Sequence, residues 1–178
     1  IPYAEEEARA AASSLPGADL LIGSHATIEN VSQAMRARSL IHIATHARFV
    51  ATNPGASGLR LADGWISAWN LGEIDLGGAH VVLSGCGTGR AESSPSDELL
   101  GLVRAFLASG ASSLVLTHWA LHDKSAREMV AAWYSTMYDN LMCQSAFPAE
   151  GFGRAQLEMY RLGHHPAGWA PFFVIGSA

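Results

Sequence analysis

AHVVLSGCGTG, residues 79–89, is an apolar β-branched run that empties into a glycine-rich turn. HVVLS carries no formal charge outside its histidine, which reads as a strand buried on both faces. LIHIATHA at 40–47 and SSLVLTHWA at 112–120 repeat the form. Helical patterns separate most of these runs. That alternation argues for an α/β fold with a mainly parallel sheet covered on both faces. Ligands of such sheets sit outside the carboxyl ends of the strands. The residues that follow each strand therefore become the functional candidates.

Working outward, Tyr3–Ser14 is Ala-rich with acids at its front, a helix whose charge suits its dipole. LPGAD at 15–19 breaks it, and LLIG at 20–23 is expected as a short strand. Ser24–Ser39 opens with capping residues and places Ile28, Val31, Ala34 and Met35 at helical spacing. Beyond LIHIATHA come a loop, a strand, a hairpin turn at Asp63–Gly64, a strand and a short helix from Ser67. Ser96 is expected to cap a helix that Gly110 ends. Residues 121–141 read as a long amphipathic helix, 143–151 as a loop or insertion, and 152–163 as the last helix. The chain closes on an apolar strand within HHPAGWAPFFVIGSA.

The 178 residues fit a single domain, and 49% hydrophobic against 15% charged residues supply a real core. The net charge of −5 comes with no basic stripe, which argues against nucleic acid as a partner. No apolar run approaches the roughly 18 residues that span a bilayer. The start has no basic region of a secretory signal and no initiator Met, as expected of the C-terminal fragment of a longer protein. Two thiols, Cys86 and Cys143, suit a reducing, cytoplasmic compartment. A disulfide between them is the plainer alternative, disfavoured by their different contexts.

Two strands end on reactive side chains. LIHIAT delivers His46, and VVLSG delivers Cys86, 40 residues later. Both fall at the same edge of the sheet. A thiol nucleophile needs a proton donor for its leaving group within reach, and neighbouring parallel strands supply one. The glycines around Cys86 permit a tight turn whose amides can meet an oxyanion. The plain alternative is an inert buried thiol, but a core cysteine belongs inside the strand rather than on the turn after it. His42, four residues before His46, should share its facing and reads as partly buried and structural. No acid or sulfur stands at metal-ligand spacing nearby, so neither metal nor cofactor is expected. His164 and His165 receive no role. Asp97–Glu98 are explained by the helix dipole alone. Asp123 either starts a helix or lines a pocket for a basic side chain. Trp119 and Trp169 flank loops at the same edge, where aromatics more often pack than recognise. Nucleotide binding at GCGTG lacks an adjoining helix and a Walker lysine. A hydrolase elbow fails on the order of its residues.

Taken together, LIHIATHA, then LRLADGWISAWNLGEIDLGGAHVVLSGCGTG, then SDELLGLVRAFLASGASSLVLTHWALHD, resemble the successive blocks of CHAT domains. The closing HPAGWAPFFVIG and the opening EEEARAAASSLPGADLLIGSHAT resemble that family too, so the likeness spans nearly the whole chain. The resemblance implies a caspase-like three-layer sandwich and a cysteine endopeptidase with a His46/Cys86 dyad. It implies an oxyanion site from the N–H groups of Ala47 and Cys86. Asp123, with Trp119 beside it, falls where related separases hold a pocket acid, which implies cleavage after Arg or Lys. Such domains are commonly joined to tetratricopeptide (TPR) repeats or other sensor modules in bacteria, which implies control by an upstream or partner domain. Two departures stand out. Ala47 replaces the usual Gly after the histidine, tolerable only at negative φ, and Gly87 replaces a larger residue. They motivate the alternative of a catalytically degenerate protein–protein interaction module.

Overall fold

The computed structural model describes residues 2–50, 52–84, 95–117, 128–135 and 148–176. Its strands are β1 (Leu40–Ala44), β2 (Ala47–Arg48), β3 (Gly58–Arg60), β4 (Trp65–Ser67), β5 (His80–Ser84), β6 (Ser113–Thr117) and β7 (Phe172–Gly176). Its helices are α1 (Pro2–Ser13), α2 (Ile28–Ala37), α3 (Ala68–Gly72), α4 (Pro95–Ala108), α5 (128–135) and α6 (Pro148–Arg161). The three apolar runs singled out in the sequence lie side by side. β1, β5 and β6 are parallel, and β7 joins β6 antiparallel, giving the order β1-β5-β6-β7.

Period-two alternation along these strands feeds two separate cores. Ile41, Val81, Leu83, Leu114 and Leu116 face α2, α3 and α4, whose Met35, Leu71 and Phe106 cover them. Val82 and Val115 face the other way, onto Trp133 and Tyr134 of α5 and Phe152 of α6. β6 is buried along its whole length, which is why its sequence carries no charge. Helix, sheet, helix is the three-layer α/β sandwich expected of a caspase-like chain.

Local chemistry sets the element ends. Thr27 caps α2 by accepting the Asn30 N–H at 3.2 Å. Gly110, at φ 86°, ends α4, with Ala111 N–H returning to the Phe106 carbonyl at 3.0 Å. The hairpin turn at Asp63–Gly64 closes through Leu61 N–H and the Gly64 carbonyl at 2.8 Å.

Four sequence expectations need correction. Residues 20–23 form no strand. Ile22 is extended (φ −136°, ψ 160°), yet no backbone hydrogen bond joins this segment to β1. Its flanks are anchored elsewhere, by Asp19 to Arg38 and by the Ala26 carbonyl to Ala62 N–H. Ser96 is not a cap, because α4 opens at Pro95, whose fixed φ and missing N–H suit a first helical position. α6 likewise starts at Pro148, inside the stretch expected as a loop. Finally, LIHIATHA is not one strand. It leaves the main sheet after Ala44 and re-enters a second, antiparallel sheet, β2-β3-β4.

Candidate active site

The carboxyl ends of β1 and β5 finish level. Ala44 lies beside Ser84, and Thr45 N–H extends the ladder to the Ser84 carbonyl at 3.3 Å. The chain then crosses to the small sheet. The Thr45 hydroxyl donates to the Arg60 carbonyl at 2.5 Å, and the His46 carbonyl accepts the Arg60 N–H at 2.8 Å. His46 is thus carried on a short bridge tied to both sheets, with its imidazole exposed.

Ala47 opens β2. His46 and Arg60 form a hydrogen-bonded pair, so the next pair, Ala47 and Leu59, directs its backbone groups away from the ladder. The Ala47 N–H therefore points off the free side of β2. Strand backbone holds φ negative, so the methyl group in place of the family's glycine is accommodated. Under the end of β5, the Ser84 hydroxyl is buried and has no hydrogen-bond partner among the described residues. Sequence reasoning passed over this hydroxyl. Its signal was a serine at the last inward position of an apolar strand.

The outer face of the small sheet carries Arg48 and Arg60. Their guanidinium carbons lie 4.7 and 6.0 Å from the centre of the Trp65 ring, a cation–π arrangement that stiffens both side chains. Arg48 follows His46 by two residues, and Arg60 meets it across the small sheet through their backbone hydrogen bond.

His42 is the partly buried structural histidine the sequence indicates, but its partners were unforeseen. Nδ1 lies 2.7 Å from the Tyr134 hydroxyl and Nε2 lies 3.0 Å from a Glu7 carboxylate oxygen. Burial, and secondarily the Glu7 charge, push the Tyr134 phenol far above its ordinary pKa, so it stays protonated. One assignment satisfies every group: Tyr134 O–H donates to Nδ1 and Nε2–H donates to Glu7. The cluster ties α1 and α5 to β1, the strand that leads to His46. The i, i+4 relation of Glu7 to the buried Ala11 was the available clue to the inward side of α1. His42 and His46 do border one cavity of about 580 Å³, though only His42 is enclosed.

His164 and His165 serve local structure. His164 Nδ1 lies 3.4 Å from a Glu128 oxygen, and its carbonyl accepts the Trp169 indole N–H at 3.1 Å. His165 Nδ1 accepts the Ala167 N–H at 3.2 Å, capping a 3₁₀ turn. Trp169 packs edge-on against Tyr160. Cys86, Trp119, Asp123 and Cys143 lie outside the described residues. Among the described residues no three His, Cys, Asp or Glu side chains cluster as metal ligands, and no helix is long and apolar enough to cross a membrane.

Residues 1–177 match the CHAT domain. The chain is also similar to tetratricopeptide repeat protein 28 of mouse, and to the human protein of that name. Each is 27% identical in a match that takes in 99% of this chain. The chain spans 9% of the length of the mouse protein and 8% of the human one.

Proposed function

The chain belongs to the CHAT-domain family, a caspase-like family, and from that premise we propose that it is a cysteine endopeptidase with Cys86 as nucleophile and His46 as proton donor. The observation that carries the reading is the register of the two strands. Ala44 stands beside Ser84, and His46 and Cys86 each follow two residues later in the sequence.

An extended peptide binds along the carboxyl edge of the sheet. The Cys86 thiolate forms a C–S bond to the scissile carbonyl, whose π electrons move onto oxygen. The N–H groups of Ala47 and Cys86 stabilise that oxyanion, one donor being worth about 3 kcal/mol, or roughly a hundredfold in rate. The outward Ala47 N–H supports this role. The tetrahedral adduct collapses, the C–N bond breaks, and His46 passes its proton to the departing amine. Water then hydrolyses the thioester and restores the thiol. Asp123, beside Trp119, receives a basic side chain before the cleaved bond. The partners are a protein or peptide substrate and a regulatory TPR or sensor module. The name of the two mammalian relatives, tetratricopeptide repeat protein 28, supports the second. Its setting is a reducing, cytoplasmic one.

A thiol-reactive peptide ketone tests the scheme. Labelling of Cys86 that disappears in His46→Ala supports the dyad. Absence of labelling, with the upstream part of the full-length protein present as well as without it, favours the interaction-module reading.

A further inference from the structure

The small sheet β2-β3-β4 has two unlike faces. Ala47, Leu59 and Ile66 stand opposite one another in the register, and Leu59 and Ile66 are buried in the core. Period two puts the alternate residues Arg48, Arg60, Trp65 and Ser67 on the outer face. The pairing runs one residue beyond β2, because the His46 carbonyl accepts the Arg60 N–H at 2.8 Å. Position 46 therefore falls on the face of the two arginines. His46, Arg48 and Arg60 are all exposed.

Two cations share one ring on this face, Arg48 and Arg60 over Trp65. Like charges held together repel, and the indole offsets this only in part. A guanidinium that rests its flat face on an indole keeps the N–H groups around its edge free to donate. The ion pairs among the described residues join other side chains, and no carboxylate pairs with either arginine there. Asp63, the carboxylate nearest to them in sequence, accepts the Ile28 N–H at 2.9 Å and ties down α2 instead. Two planar forks on a hydrogen-bonded ladder, with their charge unmet, have the chemistry of a carboxylate receptor.

The strand order β1-β5-β6 gives a bound peptide its direction. In the proposed reaction His46, after β1, passes its proton to the departing amine, and Asp123, after β6, receives the side chain before the cleaved bond. The segment that follows the cleaved bond then leaves past β1 and onto the small sheet. Arg48 lies two strand residues beyond His46, about 7 Å, the reach of the second or third residue after the bond. We propose that Arg48, Arg60 and Trp65 form a subsite that selects substrates with Asp or Glu at those two positions. The inference rests on the cleavage reading for the direction of the peptide, and on the face itself for its preference for acids.

The test uses the chain carrying Cys86→Ala, so turnover plays no part, and dye-labelled peptides read by fluorescence anisotropy. Ala-Ala-Arg-Ala-Glu-Glu should bind about three- to tenfold tighter than Ala-Ala-Arg-Ala-Gln-Gln, and tighter by a like factor than Glu-Glu-Ala-Arg-Ala-Ala, whose acids precede the arginine. Arg48→Gln with Arg60→Gln should bind all three alike. Arg48→Glu with Arg60→Glu should prefer Ala-Ala-Arg-Ala-Lys-Lys to the acidic peptide. In the chain with both arginines intact, their Nε–H resonances should shift on titration with the acidic peptide, a reading that needs no further variant to fold. Equal affinity for the three peptides, an acid preference that ignores position or survives in the double glutamine variant, or arginine resonances that stay in place overturns the subsite. Labelling of Cys86 by the peptide ketone reports on the dyad separately, so failure of the subsite is distinguished from failure of the cleavage reading.

Discussion

Replacing Tyr134 by Phe removes one oxygen from the buried cluster of Glu7, His42 and Tyr134, and its cost follows from the geometry. The hydroxyl sits 2.7 Å from His42 Nδ1, and Tyr134 is 0% exposed. Phe keeps the ring and its stacking on Trp133, centroids 4.8 Å apart, so little packing is lost. What is lost is the hydrogen bond, and the imidazole nitrogen is left buried without a donor. A net bond is worth about 1 kcal/mol and an orphaned buried acceptor about 1–3 kcal/mol. The orphaned acceptor sets the cost, so Tyr134→Phe should lose about 1–3 kcal/mol, a large share of the stability of an ordinary domain. Glu7→Gln acts on the same imidazole, so the two changes should not add. A coupling of at least about 0.5 kcal/mol is expected in the double-mutant cycle. Urea unfolding followed by tryptophan fluorescence and far-ultraviolet dichroism measures both quantities. A loss below about 0.5 kcal/mol with additive behaviour refutes the cluster as the tie between α1, α5 and β1.

Three further outcomes are expected. Ser84→Ala deletes a buried hydroxyl without a partner among the described residues, so stability should hold or rise by up to about 1 kcal/mol; a comparable loss in urea unfolding would contradict that. At Gly58 an added Cβ would stand 2.5 Å from the Ile66 carbonyl oxygen. Gly58→Ala should thus cost about 1–3 kcal/mol and displace the strand bearing Arg60, and unchanged thermal unfolding would argue otherwise. Burial lowers the pKa of His80, which pairs with Ser113 at 2.8 Å. Below about pH 6.5 the unfolded chain takes a proton that folded His80 resists, so this contribution is full above that pH and is lost on acidification. His80→Asn should flatten the decline of stability between about pH 7 and about pH 5, and an identical slope would show the shift to be unimportant.

The sheet was legible because burial on both faces leaves a plain trace, an uncharged run such as VVLS or SLVLT bounded by turn residues. Its glycines were legible for the same reason, since Gly110 needs a positive φ that few residues adopt. The break in LIHIATHA was not, because nothing in Thr45–His46 differs from strand chemistry. The change of sheet is imposed by Arg60, which binds the bridge from a residue distant in sequence. LLIG has strand composition but finds no ladder, and its flanking contacts with Arg38 and Ala62 decide that in three dimensions. Of the site, His46 and Ala47 could be placed by counting from strand ends. Glu7 and Tyr134 could not be paired with His42, because a buried hydrogen bond between distant helices leaves no local pattern. Ser84 read as strand filler until its lack of a partner became visible.

The proposed dyad requires β1 and β5 to bring positions 46 and 86 together. Substituting His46→Cys in a Cys143→Ser background tests it most directly. Two cysteines close into a disulfide when their Cα atoms stand about 4.4–6.8 Å apart, the separation of paired residues on adjacent strands. Mild oxidation followed by mass spectrometry of proteolytic peptides should recover the 46–86 cross-link in high yield from the folded protein and not from protein held in urea. A folded variant that keeps both thiols free under the same oxidant would contradict the claim.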